Sequence, residues 1–282
     1  MKNKTVLITG ANSGIGKATA MDLASKGAHI VMVCRNKEKA EIAKKEIIEK
    51  TKNNTIDIII ADISSLNDVR RAAKEFSQNH SKLDVLINNA GLIFGQRENS
   101  VDGIEATFAT NHLGHFLLTH LLLDTIKNTA KARIIHLSSV AHTMAKPNWD
   151  DIENKKKYDF ARVYAEAKLY TLMFSNELAK RLEGTGITSN AVHPGLVGSN
   201  FGKTSKNWYE YVIMLVQPFL ISNEKGAETS IHLASSSEVE NISGKYFAKK
   251  KITNPSSTSQ DKESWKKLWE ISEKMAGLAS RS

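Results

Sequence analysis

Short runs of β-branched and aliphatic residues recur along the chain at Thr5–Thr9, His29–Cys34, Thr55–Ala61, Leu83–Asn88, Arg133–Ser138 and Thr188–Val192, with a weaker seventh at Lys245–Ala248. Most are continuously apolar rather than alternating, the pattern of strands covered on both faces of a parallel sheet. Between them, Gly16–Lys26, Lys37–Lys50 and Leu66–Asn79 carry apolar residues at helical spacing. A further stretch, Ser259–Gly277, with Trp265, Leu268, Trp269 and Ile271, predicts a closing amphipathic helix. Strand–helix–strand repetition of this kind predicts an α/β fold, doubly wound, with a parallel sheet of about seven strands and helices on both faces. The rhythm breaks between Gly195 and Ser222. An apolar excursion there, with Trp208, Tyr209, Tyr211, Met214 and Phe219, reads as a C-terminal substrate lid at about 195–222. No Pro/Gly/Ser-rich linker divides the chain, so residues 1–282 are expected to form one domain.

Composition narrows the class. With 282 residues, 41% hydrophobic and 24% charged, the chain reads as an ordinary globule, which excludes collagen-like, disordered and coiled-coil readings. The formal charge of +9 admits an anionic ligand, yet the lysines are spread over the helices, which argues against a nucleic-acid partner. Cys34 is the single cysteine, excluding an intramolecular disulfide and a Cys-based zinc site. His112, His115 and His120 share a leucine-rich helix without a nearby carboxylate, so packing rather than metal binding is expected of them. The N-terminus lacks the apolar core of a signal peptide, and no apolar run is long enough to span a bilayer. Those absences point to a cytoplasmic protein, with peripheral membrane contact through the excursion left open.

Candidate chemistry starts at the end of the first strand. Gly10, Asn12, Ser13, Gly14, Ile15 and Gly16 form a glycine-rich turn that opens a helix, where backbone and helix N-terminus together favour a pyrophosphate. This context makes the fold Rossmann-type and the ligand a dinucleotide. After the second strand come Cys34, Arg35 and Asn36, without the carboxylate that would read a free ribose 2′-hydroxyl. The Arg35 guanidinium suits a 2′-phosphate, with Lys17 and Lys37 as further sources of positive field, so NADP(H) is favoured over NAD(H). The alternative reading leaves Arg35 simply solvated.

The glycine turn, Asn88-Asn89-Ala90-Gly91, Asn111, Ser138-Ser139, Tyr164-Ala165-Glu166-Ala167-Lys168 and His193-Pro194-Gly195 occur in one order over nearly the whole chain. In that order they resemble the short-chain dehydrogenase/reductase family. Cys34-Arg35-Asn36, the Thr110–Phe116 segment and Ser138–His142 are similar to its retinol dehydrogenase-like branch. The resemblance implies a catalytic set of Asn111, Ser139, Tyr164 and Lys168, with Ser138 as the fallback serine. It also implies cofactor contacts from Asp62, Ile63, Asn89, Ala90, Gly91, Tyr164, Lys168, Pro194, Gly195, Val197 and Ser199. Taken alone, Asp62 would serve equally as a cap of the following helix.

Spacing supports the pair at the centre of that set. Tyr164 and Lys168 are four residues apart and share a helix face, and an ammonium beside a phenol favours the phenolate. A phenol so tuned can exchange the hydroxyl proton of an alcohol near neutral pH. The stretch Met144–Arg162, with Trp149 and Lys155–Lys157, is longer than in the shortest family members and is expected to border the substrate mouth. The N-terminal anchor found in several animal retinol dehydrogenases is not seen, which leaves the substrate open. The reading is an NADP(H)-dependent oxidoreductase interconverting an alcohol and its aldehyde or ketone, on an apolar, retinol-like small molecule. Reduction of steroid, lipid-aldehyde or xenobiotic carbonyls is the alternative within that class. A non-catalytic NADP(H)-binding sensor or scaffold is the alternative outside it. Monomer and homo-oligomer both remain open.

Overall fold

A computed structural model describes residues 1–196 and 220–278. The parallel strands are β1 (Thr5–Thr9), β2 (His29–Cys34), β3 (Ile56–Ile60), β4 (Val85–Asn88), β5 (Arg133–Leu137), β6 (Thr188–His193) and β7 (Tyr246–Ala248). They stand in the order 3-2-1-4-5-6-7, and an antiparallel β8 (Lys251–Ile252) completes the sheet. The order reverses direction beside β1, between β1 and β4, which opens a crevice at the carboxyl ends of the strands.

The central strands β1 and β2 are largely apolar on both sides because both sides are covered. Val31 and Val33 of β2 face one core; Ile30, Met32 and Cys34 face the other. Helices α1 (Gly14–Ser25) and α2 (Lys37–Thr51) cover the second core. The first is covered by α3 (Leu66–Asn79), by a short α4 (Ala106–Phe108) and by α5 (Gly114–Lys127), with α6 (Phe160–Arg181). Helix α7 (Asn223–Ser235) returns to the α1 side, and α8 (Lys262–Met275) closes over α6. Local sequence sets the helix starts: Asn36, Ser65, Asp159 and Asp261 each accept a main-chain N–H from the first turn of α2, α3, α6 and α8.

Two departures from the sequence reading bear on function. The leucine-rich helix is not continuous: a π-helical turn, Ala109–Leu113, joins α4 to α5. The turn after β7 is the second. Lys249 and Lys250 adopt left-handed backbone (φ 50° and 63°), turning the chain into β8. The expected lid, with Val197 and Ser199, falls at 197–219, outside the described residues, apart from its flanks. There Ile221 donates its main-chain N–H to Leu196, and Gly195 packs against Ile221.

Candidate active site

The crevice at the carboxyl ends of β1, β2, β3 and β4 holds about 420 Å³. It is lined by all of the expected turn, Gly10, Asn12, Ser13, Gly14, Ile15 and Gly16, and by Arg35, Asn36, Asp62, Ile63, Asn89, Ala90 and Gly91. Ser13 occupies the N-cap of α1 without a side-chain hydrogen bond, and the first turn of that helix has no acidic residue. Its N–H groups and the positive end of the helix dipole are therefore left for an anion. Gly16 has to be glycine for packing: a Cβ there would lie 2.4 Å from the Gly10 carbonyl oxygen and 2.5 Å from Asn89 Nδ2.

At the outer end of the crevice, Arg35 Nη1 stands 3.3 Å from Asp62 Oδ2. Asp62 turns its other oxygen to Ser64, and Ser65 rather than Asp62 caps α3, so the capping alternative for Asp62 is set aside. The additional positive charge comes from Lys39, which lines the crevice, and not from the lysines named from sequence. Lys17 is paired with Glu46 of α2, and Lys37 does not line the crevice. Lys39 was legible in principle, since side chains in the first turn of a helix point back toward its N-terminus. Leu92 and Thr110 complete the lining and carried no signal of their own. Cys34 is buried, and desolvation pushes its thiol up to about 11 although Ala11 and Asn12 hydrogen-bond it.

Underneath, Thr9 ties the two glycine-containing turns together. Its Oγ1 accepts the N–H groups of Asn89 and Ala90, each at 2.9 Å, while Asn89 Nδ2 donates to the Thr9 carbonyl at 2.7 Å. Asn88 binds Thr119 and His136 from below the sheet.

The inner end gathers the expected catalytic residues. Lys168 is buried on α6, donates to the Leu137 carbonyl at 2.9 Å, and lies 5.6 Å from the centroid of the Tyr164 ring. Burial brings its ammonium down to about 8. Asn111 sits in the π-turn with Nδ2 donating to Leu92 and Thr107, while its buried Oδ1 has no protein partner among the described residues. Gly91 joins the two: a Cβ built on it would lie 2.8 Å from Asn111 Oδ1 and 3.3 Å from Lys168 Nζ. The two serines differ. Ser138 is buried and donates to the Lys168 carbonyl at 2.8 Å; Ser139 is half-buried, and its Oγ accepts the Ala141 N–H. The Ser139 loop is pinned by His142, whose Nδ1 meets the Ser139 carbonyl at 2.6 Å, and by His193, which accepts the Val140 N–H. Pro194 and Gly195 follow β6 at this end but do not line the described crevice.

One expectation is redirected. Trp149 does not face the mouth; it packs on Tyr170 and under Lys267 of α8. His112 and His115 are buried, bonded to Ser272 and Thr9, and desolvation brings both down to about 3. They are neutral packing and positioning groups.

The chain residues present fit a nicotinamide dinucleotide: an uncapped helix N-terminus behind glycines, an unpartnered Asn111 oxygen, and a basic pair at the far end. Comparison with known proteins agrees. Residues 4–210 match the family model for short chain dehydrogenases, and the chain belongs to that family. It is 43% identical over 277 residues to retinol dehydrogenase 12 of Mus musculus, covering 98% of this chain and 87% of that protein. Among solved structures, an uncharacterized protein of Mycobacterium paratuberculosis superposes with a TM-score of 0.79 at 30% identity, covering 98% of this chain and 94% of that one. The RhlG/NADP active-site complex of Pseudomonas aeruginosa gives a TM-score of 0.71 at 25% identity, covering 88% and 94%. The protein is an oxidoreductase of alcohols and their carbonyl partners, binds a nicotinamide cofactor and acts on a small molecule. No helix among the described residues is long and apolar enough to cross a membrane.

Proposed function

We propose that the chain forms one nucleotide-binding domain that uses NADP(H) to interconvert an apolar alcohol and its aldehyde or ketone. The observation that carries the catalytic part is that Lys168 Nζ and Asn111 Oδ1 both border the space over Gly91, with Lys168 one helical turn from Tyr164. Tyr164 gives its hydroxyl proton to the carbonyl oxygen during reduction and takes it back during oxidation. Ser139, the accessible serine, holds that oxygen by a hydrogen bond, while Ser138 is committed to the α6 backbone. Lys168 stabilises the phenolate and, with its pKa near 8, accepts or returns a proton close to neutrality. Asn111, with its Oδ1 lacking a protein partner among the described residues, would hold a water that carries that proton between Lys168 and solvent. The bound nicotinamide supplies or takes the hydride at the carbonyl carbon.

Arg35 and Lys39 favour the 2′-phosphate. The NADP complex of the Pseudomonas aeruginosa protein points the same way. Val140, Met144 and Leu196, apolar and exposed beside Ser139 and Gly195, support an apolar substrate and peripheral membrane contact.

The test is an assay of NADPH and NADH oxidation with retinal, medium-chain aldehydes and ketosteroids, run with wild type and Tyr164→Phe. Turnover with NADPH, lost in Tyr164→Phe while NADPH still binds, is expected. Tight NADPH binding without turnover of any carbonyl would overturn the catalytic reading in favour of a sensor.

A further inference from the structure

At the opposite end of the sheet from the crevice, three side chains converge without a part in the chemistry above. His29 is the first residue of β2, Asp57 lies on the neighbouring edge strand β3, and His80 follows the last turn of α3. Asp57 pairs in register with Val31, two residues beyond His29, so His29 and Asp57 share the face of the sheet that α3 covers. His29 Nε2 lies 2.6 Å and His80 Nε2 3.7 Å from the same oxygen, Asp57 Oδ2, and one ligand atom from each of the three residues falls within 4.8 Å of the other two.

The rings are held rather than loose. His80 stacks on the fully buried Phe76 with centroids 4.6 Å apart, and His29 meets His80 edge-on at 5.0 Å. They open into a recess of about 690 Å³ that Glu41 and Glu75 also line. Lys82, on the same rim, is occupied by the Asn3 carbonyl and Asp84. A simple ion pair would engage one ring, whereas here nitrogens of two rings converge on one carboxylate oxygen. A cation at the common point uses all three groups at once.

We infer that His29, Asp57 and His80 form a divalent metal site selective for an imidazole-binding ion of the Zn²⁺ type. Two imidazole nitrogens and one carboxylate oxygen suit zinc, with water or a recess carboxylate as fourth ligand, whereas Mg²⁺ and Ca²⁺ prefer oxygen-only sets. Binding needs both Nε2 lone pairs, so the proton that His29 holds toward Asp57 moves to Nδ1. The ion would staple the edge strand β3 and the end of α3 to β2, a stabilising role remote from the hydride site.

Isothermal titration of the full-length protein with ZnCl₂, together with thermal melts with and without Zn²⁺, tests this. One tightly bound Zn²⁺, a higher unfolding midpoint in its presence, and little response to MgCl₂ are expected. His80→Gln and the solvent-exposed Asp57→Asn should each weaken Zn²⁺ binding by about tenfold or more. Circular dichroism and a cooperative melt in metal-free buffer report that these variants fold. The inference is overturned if wild type binds no Zn²⁺ at micromolar concentration, or if both folded variants bind it as tightly as wild type.

Discussion

Thr9 Oγ1 and His115 Nε2 lie 2.9 Å apart in the floor of the cofactor crevice. Because the same hydroxyl accepts two main-chain N–H groups, its proton goes to His115 Nε2, and His115 Nδ1–H points to the Asn111 carbonyl at 3.3 Å. Burial keeps that histidine neutral, near 3, so the tautomer is fixed over the working pH range. One hydroxyl thus links the glycine turn, the Asn89–Ala90 turn and the π-turn. Thr9→Val should strand the two N–H donors and cost roughly 2–4 kcal/mol in urea unfolding. Thr9→Ser should recover most of it.

Ser138 and Ser139 should separate stability from turnover. Ser138→Ala removes a buried bond to the Lys168 carbonyl and is expected to lose about 1 kcal/mol of stability with a modest loss of rate. Ser139→Ala should leave the melting curve nearly unchanged and lower kcat by about two orders of magnitude. Steady-state kinetics beside thermal melts decides between them.

Burial works against the charge on Lys168. Its pKa falls from 10.5 to about 8 on folding because burial disfavours the ammonium. Below pH 8 the folded protein holds a charge that the unfolded chain solvates better; above 10.5 neither state is charged. Lys168→Met should therefore abolish turnover and yet stabilise the protein at pH 7, by roughly 1–3 kcal/mol. The gain should shrink as pH rises from about 8 toward 10.5, a trend that urea titrations at several pH values would register.

On the proposed reading, Arg35 and Lys39 favour NADP(H) over NAD(H). The double variant Arg35→Ala, Lys39→Ala should raise KM for NADPH by about 10- to 100-fold, with NADH nearly unaffected. Equal losses for both cofactors would show that the pair serves the adenosine as a whole rather than its 2′-phosphate.

Much of this was legible in the chain. The strands β1 and β2 and the helix α3 fall at the limits that apolar runs and turn residues indicated, because strands buried on both faces leave little ambiguity. The glycine turn and the Tyr164–Lys168 pair were equally plain, their spacing being dictated by local geometry. What escaped depends on contacts distant in sequence. β8 is two residues long and enters through Lys249-Lys250, which lack the Asn-Gly signal that left-handed turn positions usually carry. Trp149 was assigned to the mouth because nothing near it in sequence reveals Lys267 and Tyr170 as its neighbours. Lys17 looked free until α2 brought Glu46 beside it.

The π-turn at Ala109–Leu113 has a consequence for how this site can be lost. Such a turn is an α-helix carrying one surplus residue, which widens the coil and frees carbonyl groups from the regular ladder. Here the Asn111 carbonyl is claimed instead by the side chains of Thr171 and His115. Removing a single residue from the turn would let α4 and α5 run on as one uninterrupted helix with Phe108 and Phe116 still facing the core. Every residue of the turn after the deletion would rotate by about 100° relative to those before it, moving Asn111 away from Gly91 and Lys168. On the proposed reading, then, a deletion in this turn is the change to look for in a chain that keeps the cofactor crevice and loses turnover.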